Sequence, residues 1–89
     1  MRTIWKYDVP ITDKLEIRMP IGWRFVAVGL DPRNRPCMWV EVDTEATSIK
    51  HQFSVVGTGH PIHEDARVLG SIRQDPFMWH VCLLEDVPF

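Results

Sequence analysis

An 89-residue chain that is 45% hydrophobic and 25% charged has the composition of one small folded domain, 1–89, and excludes a disordered polymer. A formal net charge of −2 with both signs interspersed excludes a general electrostatic affinity for long nucleic acid or an anionic membrane, so any anion site has to be local.

Residues 3–9 alternate Trp5, Tyr7 and Val9 against Lys6 and Asp8, the period of a half-buried strand, and Pro10 ends it. Residues 14–19 carry the cleanest alternation, Leu15, Ile17 and Met19 against Lys14, Glu16 and Arg18, and predict an antiparallel strand solvated on one side. The β-rich runs 23–30 and 37–42 flank a short Pro/Asn-rich loop and predict a hairpin. A polar turn at 43–47 leads to a strand over 48–56 with Ile49, Phe53 and Val55 inward beside His51.

That strand breaks into Gly57-Thr58-Gly59-His60-Pro61. Glycines let the backbone take positive φ and approach a ligand closely, and successive N–H groups in such turns hold anions. A tight connection after a strand is the plainer reading of the same residues. Residues 61–66 have the length of one helical turn, too short for a stable helix. Residues 68–73 and 76–84 then predict a last hairpin around Gln74-Asp75. Its second strand has Phe77, Trp79, Val81 and Leu83 on one face and Met78, Cys82 and Leu84 on the other, with His80 among them. A strand apolar on both faces is central to its fold or covered by a second subunit, so a homo-oligomer, most simply a C2 dimer, is expected.

About seven short strands without a long amphipathic helix predict an all-β fold, a small antiparallel sandwich or barrel. Its expected core is Leu15, Ile17, Phe25, Val40, Phe53, Val55, Val81 and Leu83. Cys37 and Cys82 lie in apolar runs and read as reduced core residues more than as a disulfide pair. No apolar stretch approaches the ~20 residues of a membrane span and no signal peptide opens the chain, which makes a cytosolic location the default.

His60 and His63 offer two metal ligands where zinc needs three or four, so no metal site is expected. His60 with Glu64 or Asp65, and Ser54 or Thr58 as nucleophile, show no recognised catalytic spacing, so no catalytic residue is assigned and no cofactor is implied. The run is neither a Walker loop nor a dinucleotide fingerprint. What remains is a candidate phosphate cradle of Gly57, Thr58, Gly59 and His60, with Arg67 and Arg73 neutralising charge. Trp39 and Trp79 are the candidates to stack on a planar group; core packing is the alternative for the tryptophans, and a solvated strand face for the two arginines.

Ile4-Trp5-Lys6-Tyr7, Pro36-Cys37-Met38-Trp39, Val55-Val56-Gly57-Thr58-Gly59-His60-Pro61 and Phe77-Met78-Trp79-His80-Val81 together resemble a family of short uncharacterised proteins encoded by bacteriophages and prophages. The resemblance spans nearly the whole chain, with VVGTGHP its most specific part, and the chain departs from it in the tail 82–89. It implies an accessory anti-defence protein in the host bacterial cytoplasm. The mechanism expected is a sponge that binds a small phosphorylated, nucleotide-derived immune signal without cleaving it. The alternatives are an inhibitor that binds a host defence protein and a minor virion component.

Overall fold

A computed structural model of the chain describes residues 1–84; residues 85–89, most of the tail that departs from the resemblance, lie outside the described residues. Seven strands form: β1 (Arg2–Asp8), β2 (Leu15–Pro20), β3 (Arg24–Leu30), β4 (Pro36–Asp43), β5 (Ser48–Gly57), β6 (Arg67–Gln74) and β7 (Phe77–Leu83). They make two antiparallel sheets, sheet A in the order β1-β4-β3 and sheet B in the order β2-β5-β7-β6, so the all-β fold is a sandwich.

Alternation within the strands builds the core between the sheets. Ile17 and Met19 of β2, Met38, Val40 and Val42 of β4, Phe53 and Val55 of β5, Ile72 of β6 and Val81 of β7 are buried together. Of the expected core, Ile17, Val40, Phe53, Val55 and Val81 are buried, and Leu15, Phe25 and Leu83 pack against them partly exposed. Ile49 corrects the inward assignment: it is 41% exposed, because it sits near the start of β5, where the sandwich opens. Trp5 is also exposed, on the edge strand β1.

The β3–β4 hairpin is closed by Asp31. Its Oδ1 accepts the backbone N–H groups of Arg33 and Arg35, each at 2.9 Å, and its Oδ2 lies 3.3 Å from Lys6 Nζ and 3.4 Å from Arg35 Nε. The β6–β7 hairpin turns on Asp75-Pro76, a cis peptide, one residue later than the sequence suggests.

β5 and β6 both pair antiparallel with β7, so they run parallel to each other and segment 58–66 must carry the chain back along sheet B. That segment holds a turn in which Ala66 N–H donates to His63 C=O, and no helix. Its return lies over part of the outer face of sheet B, at Val56, Cys82 and Leu84, while Phe77 and Met78 at the start of β7 stay exposed. Trp79, Val81 and Leu83 face the core, while Cys82 and Leu84 are buried on the outer face. There Asp13, His60, Pro61, Ile62 and His63 share a groove with Ser54, Val56 and Leu84.

Candidate functional site

The glycine run is the start of the return crossover, and each glycine has a packing or conformational reason to be there. His60 N–H donates to Gly57 C=O at 3.1 Å, closing a β-turn with Thr58 and Gly59 at its centre. Gly59 has φ +87°, the positive value a type II turn requires at its third position. Gly57 lies beneath the Trp79 indole, whose ring would stand 3.4 Å from an added Cβ.

The turn does set chemistry in place, by joining Thr58 to His80 and Ser71, two residues the sequence alone did not single out. Thr58 Oγ1 lies 2.8 Å from His80 Nε2, and Ser71 Oγ lies 2.7 Å from His80 Nδ1. Register explains the trio: Ser71 pairs with His80 across β6–β7, and His80 pairs with Val56 across β5–β7, just before the turn. Thr58, Gly59, His60 and His80 border a cavity of about 260 Å³ whose other walls include Val56, Ile62, Val68 and Cys82. Burial raises the Cys82 thiol above its ordinary range.

The other candidates are dispersed. Arg73 lies two register pairs beyond Ser71, ion-paired with Asp75 at 2.9 Å. Trp79 faces inward, donates Nε1–H to Gln74 Oε1 at 2.8 Å and stacks on Phe77 with centroids 5.1 Å apart. Trp39 lies against Gly29 on the far sheet. Arg67 is at the opposite end of sheet B from the glycine turn, paired with Leu83 where Gly57 pairs with Trp79.

At that opposite end the sandwich opens into a cleft of about 670 Å³. Trp23, Phe25, Leu69 and Leu83 supply apolar walls, Ile49 stands at its exposed mouth, and Arg24 and Arg67 supply positive charge; no carboxylate lines it among the described residues. Trp23 Nε1–H donates to Nδ1 of the buried His51 at 3.2 Å, and His51 Nε2 lies 3.3 Å from the Met19 carbonyl oxygen. With Nδ1 accepting, the ring proton belongs on Nε2, where it donates to that carbonyl. The pair fixes the indole at the cleft wall, edge-on to His51 with centroids 5.8 Å apart. The signal for this site was the Trp23-Arg24-Phe25 run, two aromatics flanking an arginine at the mouth of a strand.

A third cluster, Asp8, Asp31 and Cys37, brings possible metal ligands within 4.8 Å of one another. Its chemistry is that of a hairpin clamp. The Arg35 amide, then the Lys6 side chain and the Arg33 amide, hold the Asp31 carboxyl down at about 2 against the opposing effect of burial. Burial foremost, with the hydrogen bond to Asp8, pushes the Cys37 thiol up to about 11, away from the thiolate a metal needs.

Fold and sites together define a small antiparallel β-sandwich with a cationic aromatic cleft at one end and a hydroxyl–imidazole cluster on the outer face of sheet B. The chain belongs to the family described as a domain of unknown function, DUF7352, which residues 1–88 match. No curated protein and no solved structure matches it.

Proposed function

We propose that the protein binds a small phosphorylated, nucleotide-type ligand in the cleft between β3, β5 and β6 and releases it unchanged. The lining carries this reading: Trp23 and Phe25 offer ring surface to a base, and Arg24 and Arg67 offer guanidinium groups to phosphate, with no acidic wall to oppose them. Among the described residues neither arginine makes a salt bridge within 4.0 Å; Arg24 feels the Glu41 carboxylate opposite it on β4, which leaves Arg67 the freer of the two for an anion. The cleft's volume of about 670 Å³ also suits a ligand of that size. Arg67 stays in the ligand set and Trp23, Phe25 and Arg24 join it. Gly57, Thr58, Gly59, His60, Arg73, Trp39 and Trp79 leave it.

In the bacteriophage setting that the resemblance implies, the consequence is sequestration of a nucleotide-derived immune signal in the host cytoplasm. A second reading, a surface that blocks a host defence protein or pairs two copies of the chain, is favoured by the exposed Ile4 and Val26 on the strands flanking β4 of sheet A.

Calorimetric titration with cyclic di- and trinucleotides and ADP-ribose tests the first reading. At least one should bind, Arg67→Ala and Arg24→Ala should each weaken it about ten- to a hundredfold, the worth of a charge-assisted hydrogen bond, and Gly59→Ala should not. The ligand should be recovered intact on denaturation. Affinity indifferent to both arginines, or recovery of a cleaved product, rejects the proposal. Binding of none of the panel, with sheet A substitutions disrupting a protein complex, favours the second reading.

A further inference from the structure

The hydroxyl–imidazole cluster is not used by the cleft at the other end of sheet B, and its geometry is that of an activated nucleophile. We propose that Thr58, His80 and Ser71 form an acyl-accepting centre for small activated acyl esters, with Thr58 as nucleophile, His80 as general base and Ser71 as a positioning residue. The roles follow from which side chains line the cavity, since Thr58 and Ser71 are both exposed to solvent. Thr58 and His80 border the cavity of about 260 Å³, while Ser71 is outside its lining and meets the imidazole from behind, at Nδ1.

Hydroxyls both donate and accept, so one tautomer satisfies the whole chain: Thr58 Oγ1–H donates to Nε2 and Nδ1–H donates to Ser71 Oγ. That is the arrangement in which a base can take the nucleophile's proton as it attacks. Val56, Ile62, Val68 and Cys82 give the cavity apolar walls sized for a short acyl chain. The buried Cys82 thiol, raised above its ordinary range, stays protonated and leaves the hydroxyl as the nucleophile.

In the first step an Oγ1 lone pair forms a bond to the acyl carbon while the Oγ1 proton passes to Nε2. The tetrahedral species collapses, the bond to the leaving oxygen breaks with its electron pair, and that oxygen takes the proton from Nε2. The products are the Thr58 ester and a free alcohol. Water then attacks the ester carbon and gives a proton to Nε2, and Thr58 Oγ1 recovers that proton as the carboxylic acid departs. Among the described residues no carboxylate backs the imidazole. In serine proteases a neutral partner in that place lowers turnover about 10⁴-fold, so both steps should be slow, and the acyl form accumulates where a good leaving group lets acylation outrun attack by water.

The test uses the full chain with p-nitrophenyl acetate, following nitrophenolate release and intact mass. The expected result is a burst of one equivalent of nitrophenolate per chain, with one acetyl group mapped to Thr58. His80→Ala should lower the acylation rate at least about a hundredfold, the usual contribution of a general base. Thr58→Ala should abolish the burst and Thr58→Ser should keep it. Ser71→Ala should slow acylation without changing half-saturation, and Ser71→Thr should restore it, which a merely structural contact would not require. Each variant is first shown to melt cooperatively; where His80→Ala does not, His80→Gln replaces it. Acetyl groups confined to lysines or the N-terminus, or a rate indifferent to His80, overturn the proposal, and neither outcome bears on the nucleotide cleft.

Discussion

Gly70 offers a sharp test of how the two sheets meet. It sits in β6 just after a bulge between Val68 and Gly70, and it faces β3 across the sandwich. A Cβ there would stand 2.8 Å from Val28 Cγ2 and 3.5 Å from Phe25 Cζ. The first distance is about 1 Å inside the 3.5–4.0 Å optimum for carbon pairs, and the branched Val28 side chain has little rotameric freedom to withdraw. Overpacking of this kind costs about 1–3 kcal/mol, offset in part by roughly 0.4–1 kcal/mol from the lower entropy of the unfolded Ala chain. The net loss of about 1–2 kcal/mol should lower Tm by roughly 5–15 °C in a domain of this size. Gly29→Ala is the control, since its Cβ would meet the Trp39 ring at an ordinary 3.7 Å, and its Tm should hold or rise slightly. Gly59→Ala should also lose about 1–2 kcal/mol, but from left-handed backbone strain at φ +87° in open space. A double-mutant cycle separates the two causes, because Val28→Ala should relieve the Gly70 substitution and leave the Gly59 one untouched. Thermal melts followed by near-UV circular dichroism decide it. If Gly70→Ala melts with the wild type, or shows no coupling to Val28, the packing argument is wrong.

Asp31 is held at about 2, below its unfolded value, so its stabilisation is complete above about pH 4 and lost as pH falls toward 2. Asp31→Asn should therefore be less stable at pH 7, with the gap in Tm closing between about pH 4 and 2; a gap constant across that range would refute the charge argument. Cys37 has the opposite sign, since a thiol raised to about 11 contributes stability fully below its ordinary value near 9 and loses it as pH rises toward 11. Alkaline melts should fall over that window in the wild type and less in Cys37→Ala. Both cysteines are buried and free, so neither should react with a disulfide reagent at pH 8 until denaturant is added; rapid native labelling of either would contradict that burial. Phe53 is fully buried at the centre of the core, and Phe53→Ala should cost about 3–5 kcal/mol, most of a small domain's margin, visible as loss of cooperative melting.

Much of the fold was legible because one-sided burial writes itself into a period of two. Leu15, Ile17 and Met19 point inward from β2 as their alternation requires, and Val40, Phe53, Val55 and Val81 do the same from theirs. What alternation does not encode is what covers a second face. Cys82 and Leu84 read as an uncovered apolar surface because the cover is segment 58–66, which has no period of its own and whose path depends on β6 pairing beyond β7. Ile49 misleads in the reverse direction: it has the parity of Phe53, but near the mouth of the sandwich parity no longer implies burial.

The sites were harder to read because each depends on register, and register turns on single residues. A hairpin centred on Gln74-Asp75 sets Ser71 opposite Met78; the turn at Asp75-Pro76 sets it opposite His80 and creates the Thr58–His80–Ser71 chain. Arg67 shows the same dependence along the sheet. It follows the glycine run closely in sequence, yet the crossover returns the chain to the far end of β7 before β6 begins, so Arg67 emerges beside Trp23 and Arg24 rather than beside Gly59. Nearness in sequence brought the glycines and arginines into one imagined phosphate cradle. Strand order separates them into a cleft that can hold charge and a ring, and a cavity that can hold a short chain beside a nucleophile. The two chemistries can therefore be removed independently, the first by Arg67→Ala and the second by His80→Ala.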